Sequence, residues 1–152
     1  MPTVGDPAPL FTLADDRGEQ VSLADLRGQR VILYFYPKDD TPGCTTQACG
    51  IRDGWAQVEA LDVALFGISP DAPASHAKFR AKFDLPYPLL ADEGHAVAEQ
   101  YGVWVEKSMY GKKYMGVERS TFIIGTDGLV EHVLHKVKPG EHLDLIVKTL
   151  AV

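Results

Sequence analysis

Two cysteines, Cys44 and Cys49, are the only thiols in the 152-residue chain, and they lie five positions apart. Thr41 and Pro42 stand just upstream, and threonine followed by proline is typical of an N-cap and the first position of a helix. This spacing places Cys44 in the first helical turn, where backbone N–H groups lack partners and the positive end of the helix dipole lies. The pattern predicts nucleophilic thiol chemistry at Cys44.

The position of Cys44 also permits a purely structural interpretation. The apolar residues that follow it, Ala48, Ile51, Trp55 and Val58, recur at helical spacing and predict one buried helix face. A cysteine on such a face can be a small buried hydrophobic residue. The first-turn position and the second cysteine nearby favour the chemical interpretation.

Ionisation of the thiol alone does not account for a fast enzyme. A helix N-terminus or a neighbouring arginine lowers the pKa of a cysteine thiol from about 8.5 to roughly 3.5–7.5. A shift of about two units raises the thiolate fraction at neutral pH by only about 25-fold. Further rate must come from groups that orient a substrate and stabilise a departing oxygen. Thr41, the backbone N–H of Cys44 and one arginine are suited to that task.

The spacing of the two cysteines implies motion. Five residues of regular helix separate their Cα atoms by roughly 8–9 Å, beyond the limit of about 7 Å for a disulfide. A bond between Cys44 and Cys49 therefore requires local unwinding. Gly50 and Gly54 weaken this helix by roughly 1 kcal/mol each relative to alanine. We expect a reduced helical state and an oxidised, locally unfolded state.

The rest of the chain predicts strands that alternate with helices. Continuous β-prone runs at 31–36 and 63–68 are typical of strands covered on both faces. A final amphipathic helix is expected through Leu143, Ile146 and Leu150. Further strands are expected at 10–13, 20–23, 89–91, 121–124 and 129–137, further helices at 72–83 and 94–101, and a solvated loop at 107–113. This order of elements predicts an α/β sandwich with a mixed central sheet.

Composition and charge exclude several classes of protein. The formal charge is −6, from 21 acidic and 15 basic side chains, and it disfavours nucleic acid or an anionic membrane surface as a partner. The longest apolar run, 31–36, is far shorter than the roughly 20 residues of a membrane span. The N-terminus has no signal-peptide pattern. We therefore expect a cytoplasmic protein, where a close cysteine pair is typical of catalysis or metal binding.

A zinc site is the less favoured use of the cysteines. Structural zinc sites need a second pair of ligands beside a cysteine pair. His132 and His135 are the closest histidine pair, and three positions apart on a strand their side chains point to opposite faces. No metal is expected.

The residues around Cys44 resemble a known family. Pro37, Thr41 and Cys44 reproduce the P-x-x-x-[ST]-x-x-C signature of peroxiredoxins. The wider stretch 34–49 is similar to the bacterioferritin-comigratory-protein, or PrxQ, subfamily. Similar segments follow at 102–104, 106–107, 109–111 and 119–122. The resemblance covers essentially the whole chain.

This resemblance implies a role for each residue of the motif. Cys44 would be the peroxidatic cysteine, which attacks a peroxide to give a sulfenic acid. Thr41 and Arg119 would hold the peroxide, with Arg119 also supporting the thiolate and Pro37 shielding the pocket. Cys49 matches the resolving cysteine of members that carry it in the same helix, and it would form an intramolecular disulfide with Cys44.

The resemblance also implies a fold and partners. It implies one thioredoxin-like domain over residues 1–152, with an N-terminal β-hairpin extension and no cofactor. The disulfide would be reduced by thioredoxin or a glutaredoxin-type donor, and the protein is expected to be a monomer. The alternatives are a thiol–disulfide oxidoreductase, which the absence of a C-x-x-C motif disfavours, and a redox switch that binds a partner. Consumption of peroxide distinguishes the three.

Overall fold

A computed structural model describes residues 1–150, which form nine strands and five α-helices. The strands are β1 (Thr12–Asp15), β2 (Gln20–Ser22), β3 (Arg30–Phe35), β4 (Val63–Ser69), β5 (Leu89–Ala91), β6 (Trp104–Met109), β7 (Lys112–Val117), β8 (Thr121–Ile124) and β9 (Val130–Leu134). The helices are α1 (Pro42–Asp53), α2 (Trp55–Glu59), α3 (Pro73–Phe83), α4 (Ala96–Gln100) and α5 (His142–Leu150). None of the helices within residues 1–150 has both the length and the apolar character of a membrane-spanning segment.

Seven of these strands form one mixed sheet in the order β2-β1-β5-β4-β3-β8-β9. β3 and β4 are parallel, as are β4 and β5, whereas β8 runs antiparallel to β3. The predicted mixed α/β sheet is thereby confirmed. The N-terminal hairpin of β1 and β2 also forms as expected, and it joins the same sheet because β1 pairs with β5.

The central strand β3 has both faces covered, which explains its unbroken apolar sequence. Leu33 and Phe35 point to one side of the sheet, where they belong to a core cluster with Phe122. Ile32 and Tyr34 point to the other side, into a second cluster that includes Cys44 and the buried face of α1. The active cysteine predicted from the sequence therefore lies between the sheet and its own helix.

The predicted helix face from Cys44 to Val58 is interrupted. α1 ends at Asp53, and a separate short helix, α2, begins at Trp55. Gly54 lies between them because α5 crosses at this point, and a Cβ at Gly54 would clash with the Leu143 side chain. The break ends α1 shortly after Cys49.

The stretch 107–113, expected to be a solvated loop, is a β-hairpin. β6 and β7 pair antiparallel from Trp104 opposite Val117 to Met109 opposite Lys112. The turn residues Tyr110 and Gly111 have φ of 52° and 77°, which is the sign that a two-residue hairpin turn of type I′ requires at both positions. This hairpin stands apart from the main sheet.

Candidate active site

The loop that follows β3 carries the chain into α1 as the sequence predicts. Thr41 is the N-cap residue with an extended backbone, Pro42 is the first helical residue, and Cys44 is the third. The Thr41 side chain does not cap the helix, because its hydroxyl donates to the Lys38 carbonyl at 2.8 Å. The first intrahelical bond is donated by the Thr45 N–H to the Thr41 carbonyl. The N–H groups of the first turn, that of Cys44 included, therefore precede the helical ladder.

A buried polar cluster fixes this loop. The Asp39 carboxylate accepts hydrogen bonds from Tyr36 at 2.6 Å and from Ser75 at 2.8 Å, and it lies 2.7 Å from His76 Nδ1. His76 Nε2 faces the Leu90 carbonyl at 2.9 Å and so carries a proton. Burial and the nearby Asp39 raise the pKa of Tyr36 well above its ordinary value, so its hydroxyl remains a donor. The loop is thus tied to α3.

The same cluster contains the atoms best arranged for a metal ion among the described residues. Potential ligand atoms of Asp39, Asp71 and His76 lie within 4.8 Å of one another. Hydrogen bonds within the protein already occupy them, since Asp71 accepts from the Asp39 N–H at 2.8 Å and from Ser69 at 2.6 Å. These hydrogen bonds make the arrangement a structural network that holds the loop.

Arg119 lies against the thiol of Cys44. Its Nη1 donates to Cys44 Sγ at 3.4 Å, across 75 positions of sequence. Gly43 leaves room for this approach, because a Cβ there would lie 3.2 Å from Arg119 Nη2, closer than an ordinary contact. Cys44 is 2% exposed, so the guanidinium is a fixed positive charge beside a buried sulfur. A fixed positive charge there can stabilise negative charge that develops on the sulfur or on an oxygen bound to it.

The backbone places Arg119 there through the sheet. β8 begins two residues after Arg119 and pairs with β3, whose last residue leads into the cysteine loop. The Phe35 N–H donates to the Ser120 carbonyl at 2.9 Å, and the Val137 N–H donates to the Arg119 carbonyl at 2.8 Å. These two bonds fix the backbone at Arg119 and at the residue that follows it.

Gln47 is a site residue that sequence reasoning missed. It is 1% exposed, and its Oε1 accepts from Arg119 Nη1 at 2.6 Å. Its amide nitrogen lies 2.9 Å from His142 Nδ1 on α5, and His142 Nε2 lies 2.8 Å from Thr121 Oγ1. A signal was available, since a glutamine three residues after Cys44 falls on the apolar face of α1 and a buried amide needs partners.

An open cleft with a volume of about 600 Å³ lies beside Arg119. Lys107 and Tyr114 of the β6–β7 hairpin line it, together with Lys136. Burial and the charge of Arg119 lower the pKa of Lys107. Lys107 is half-buried and lines the cleft, whereas residues 108–113 are exposed, as the sequence predicts.

The structure brings Thr41, Cys44 and Arg119 to one end of the sheet. Pro37 is half-buried at the start of the same loop. Cys49 is half-buried further along α1, and both cysteines are free thiols. Because α1 is continuous from Pro42 to Asp53, the two Cα atoms are about 8–9 Å apart.

Comparison with known proteins identifies the class. Residues 4–133 match the AhpC/TSA family. The chain is 52% identical to a peroxiredoxin bcp of Coxiella burnetii, over 97% of both chains, and 49% identical to the peroxiredoxin Bcp of Escherichia coli, over 96% of this chain and 94% of that protein. A solved structure of the Xanthomonas campestris bacterioferritin comigratory protein superposes with a TM-score of 0.87 at 35% identity, covering 93% of this chain and 90% of the other.

The chain therefore belongs to the AhpC/TSA family of peroxiredoxins, with a thioredoxin-type fold. Within that family it stands with the Bcp and peroxiredoxin Q proteins, as an oxidoreductase that reduces peroxides with a thiol.

The buried imidazole of His142 predicts a loss of stability in mild acid. Burial and Arg119 lower the pKa of His142 from 6.5 to about 3 in the folded protein. Between these values the unfolded chain binds more protons, so the free energy of unfolding falls as pH falls, by up to about 1.4 kcal/mol per pH unit. Urea unfolding at about pH 7 and about pH 5 measures this dependence. A His142→Asn variant should show a shallower dependence, and equal slopes would contradict the assignment.

Proposed function

We propose that Cys44 attacks hydroperoxides as a thiolate and that Cys49 resolves the product. The observation that carries this proposal is the contact of Arg119 Nη1 with Cys44 Sγ at 3.4 Å, in the first turn of α1. A buried sulfur with a fixed guanidinium beside it at a helix N-terminus is suited to nucleophilic attack.

In the first step the Cys44 sulfur attacks the terminal oxygen of R–O–OH. An S–O bond forms and the O–O bond breaks, with its electron pair leaving on the second oxygen. That oxygen takes a proton to become an alcohol, or water when the substrate is hydrogen peroxide, and Cys44 becomes a sulfenic acid. The sulfur is oxidised by two electrons and the peroxide is reduced by two.

Three groups stabilise this step. Arg119 and the backbone N–H of Cys44 donate to the oxygen on which charge develops. The Thr41 hydroxyl already donates to the Lys38 carbonyl, so its oxygen is left as an acceptor for the O–H of the peroxide. Pro37, at the start of the loop, shields the pocket from water.

Resolution follows when Cys49 attacks the sulfenic sulfur of Cys44. An S–S bond forms, and the hydroxyl leaves as water after it takes a proton. The Cα atoms of an intact α1 are about 8–9 Å apart, so the helix must unwind between them. Gly50, within α1, lowers the cost of that opening.

A dithiol reductant then restores the enzyme. Thioredoxin, or a glutaredoxin-type donor, supplies two electrons to the Cys44–Cys49 disulfide and becomes oxidised itself. All five motif residues come from one chain, so the site is complete in a monomer. The cycle needs two free thiols at rest, which fits the reducing cytoplasm.

The substrates we propose are hydrogen peroxide and organic hydroperoxides. The cleft of about 600 Å³ beside Arg119 leaves room for an organic substituent. Alkyl peroxide reduction is the activity named for the Xanthomonas campestris protein. A comparison of kcat/KM for hydrogen peroxide and for cumene hydroperoxide tests this range.

Replacing Arg119 by methionine should slow the first turnover. The change keeps an unbranched, flexible side chain but shortens it and removes the donors to sulfur and peroxide, a loss of about 10²–10³-fold for one such contact. Stopped-flow fluorescence of the two tryptophans measures the rate after one equivalent of peroxide. Arg30→Met is the matched control, because Arg30 pairs with Glu131 at the opposite end of β3. Equal rates in wild type and Arg119→Met would remove the arginine from the mechanism.

A further inference from the structure

We propose that His142, the first residue of α5, is a positioning residue for peroxide reduction. It holds Gln47 in place, and Gln47 in turn holds Arg119 against the Cys44 sulfur. This inference rests on the proposed function, in which Arg119 supports attack by Cys44.

The direction of each hydrogen bond in this relay follows from chemistry. A guanidinium only donates, so the oxygen of the Gln47 amide must face Arg119, at 2.6 Å. The amide nitrogen of Gln47 then faces His142 Nδ1 at 2.9 Å, and this ring nitrogen must accept. The proton of the neutral imidazole is therefore on Nε2, which donates to Thr121 Oγ1 at 2.8 Å. The relay is thus one ordered chain of hydrogen bonds through Arg119, Gln47, His142 and Thr121.

The relay forms only when the imidazole of His142 is neutral. A protonated His142 would turn an N–H toward the Gln47 amide nitrogen, which also donates, and the contact would be lost. Burial and the charge of Arg119 both lower the pKa of His142, to about 3. The ring is 0% exposed, and it packs against the ring of Tyr34 at 5.2 Å between centroids.

Because the relay is buried, each of its hydrogen bonds depends on the partner that the protein supplies. Gln47 and Thr121 are also buried, at 1% and 0% exposure, so water does not replace a missing partner there. A buried amide left without its acceptor is costly, and the side chain moves to regain one. Loss of the acceptor at 142 would thus release Gln47, and with it the orientation of Arg119.

The relay joins three elements that are far apart in sequence. Gln47 lies on α1, Thr121 on β8 and His142 on α5, and 95 positions separate the two ends of the Gln47–His142 contact. The C-terminal helix is held against α1 by the close approach of Leu143 to Gly54. α5 thereby completes the active site without touching the substrate.

Two substitutions separate positioning from a structural role. In His142→Asn the side-chain oxygen lies near the position of Nδ1 and keeps an acceptor for Gln47. In His142→Leu the volume is better filled but the acceptor is lost. A structural role predicts that the leucine variant is at least as active as the more poorly packed asparagine variant. Positioning predicts the opposite order of activity, whatever the order of stability.

The first-turnover rate with hydrogen peroxide is the readout, alongside urea unfolding of each variant. We expect His142→Asn within about threefold of wild type and His142→Leu slower by about 10²-fold, the cost of a misplaced catalytic group. Equal rates in the two variants, or a faster leucine variant, would overturn the inference.

A double-mutant cycle separates the positioning role of His142 from the proposed role of Arg119, on which it rests. If His142 acts through Arg119, His142→Leu should have no further effect in the Arg119→Met background. Independent effects that multiply would overturn the positioning role. A slow Arg119→Met beside a normal His142→Leu would overturn this inference and leave the proposed function standing. A normal Arg119→Met would overturn both.

Discussion

The Cys44→Ser variant should lose peroxide turnover by about 10⁴-fold or more, down to the background rate. A serine hydroxyl does not ionise near neutral pH, so neither Arg119 nor the helix N-terminus has an anion to stabilise. In the proposed mechanism the sulfur also gives up two electrons, and a serine oxygen cannot be oxidised in this way. Oxidation of NADPH through thioredoxin reductase and thioredoxin measures the turnover.

The control for this variant is a test that it still folds. Cys44 is buried in the cluster beneath α1, and serine is smaller and more polar, so stability is measured in parallel by urea unfolding. A folded Cys44→Ser protein that still turns over peroxide would mean that Cys44 is not the peroxidatic residue.

The Cys49→Ser variant should separate the first step from the cycle. It keeps Cys44, Thr41 and Arg119, so it should consume about one equivalent of peroxide per chain. Without the second thiol the sulfenic acid has no partner within the chain, and turnover with thioredoxin should fall to background. Further peroxide should carry Cys44 to sulfinic and sulfonic acid, an irreversible loss.

Mass spectrometry of the intact chain follows these products as added oxygen atoms. Wild type under the same conditions is the control, and it should resist this overoxidation. Normal recycling of Cys49→Ser by thioredoxin would show that Cys49 is not the resolving residue.

Local patterns made the centre of the site predictable. Thr41 and Pro42 mark the start of α1, and the position of Cys44 in its first turn follows from counting. The central strands were predicted equally well, because an unbroken apolar run such as that of β3 has few alternatives to a strand covered on both faces. These predictions depend on neighbours within a few residues.

Contacts between distant residues were beyond such patterns. Arg119 was found only through the resemblance, since its approach to Cys44 depends on the pairing of β8 with β3 across 75 positions. The partnership of Gln47 with His142 depends equally on where α5 lies. The Thr41 side chain was expected to cap α1, but the Lys38 carbonyl competes for its hydroxyl.

The β6–β7 hairpin escaped prediction for a different reason. Its strands lack the alternation of apolar and polar residues that marks a strand with one buried face, because most of their residues are partly or fully exposed. The turn is also unusual in placing Tyr110, a bulky residue, at a positive φ. The hairpin lies beside Arg119 and lines one side of the cleft.

The linkage formed by one equivalent of peroxide tests the central claim most directly. The reduced protein is treated with peroxide, remaining thiols are alkylated, and the chain is cut with trypsin. Since no lysine or arginine lies between Lys38 and Arg52, one peptide, 39–52, carries both cysteines. We expect this peptide to be unalkylated and lighter by two hydrogen atoms. Two alkylated cysteines, or a disulfide between two chains, would contradict attack by Cys44 and resolution by Cys49.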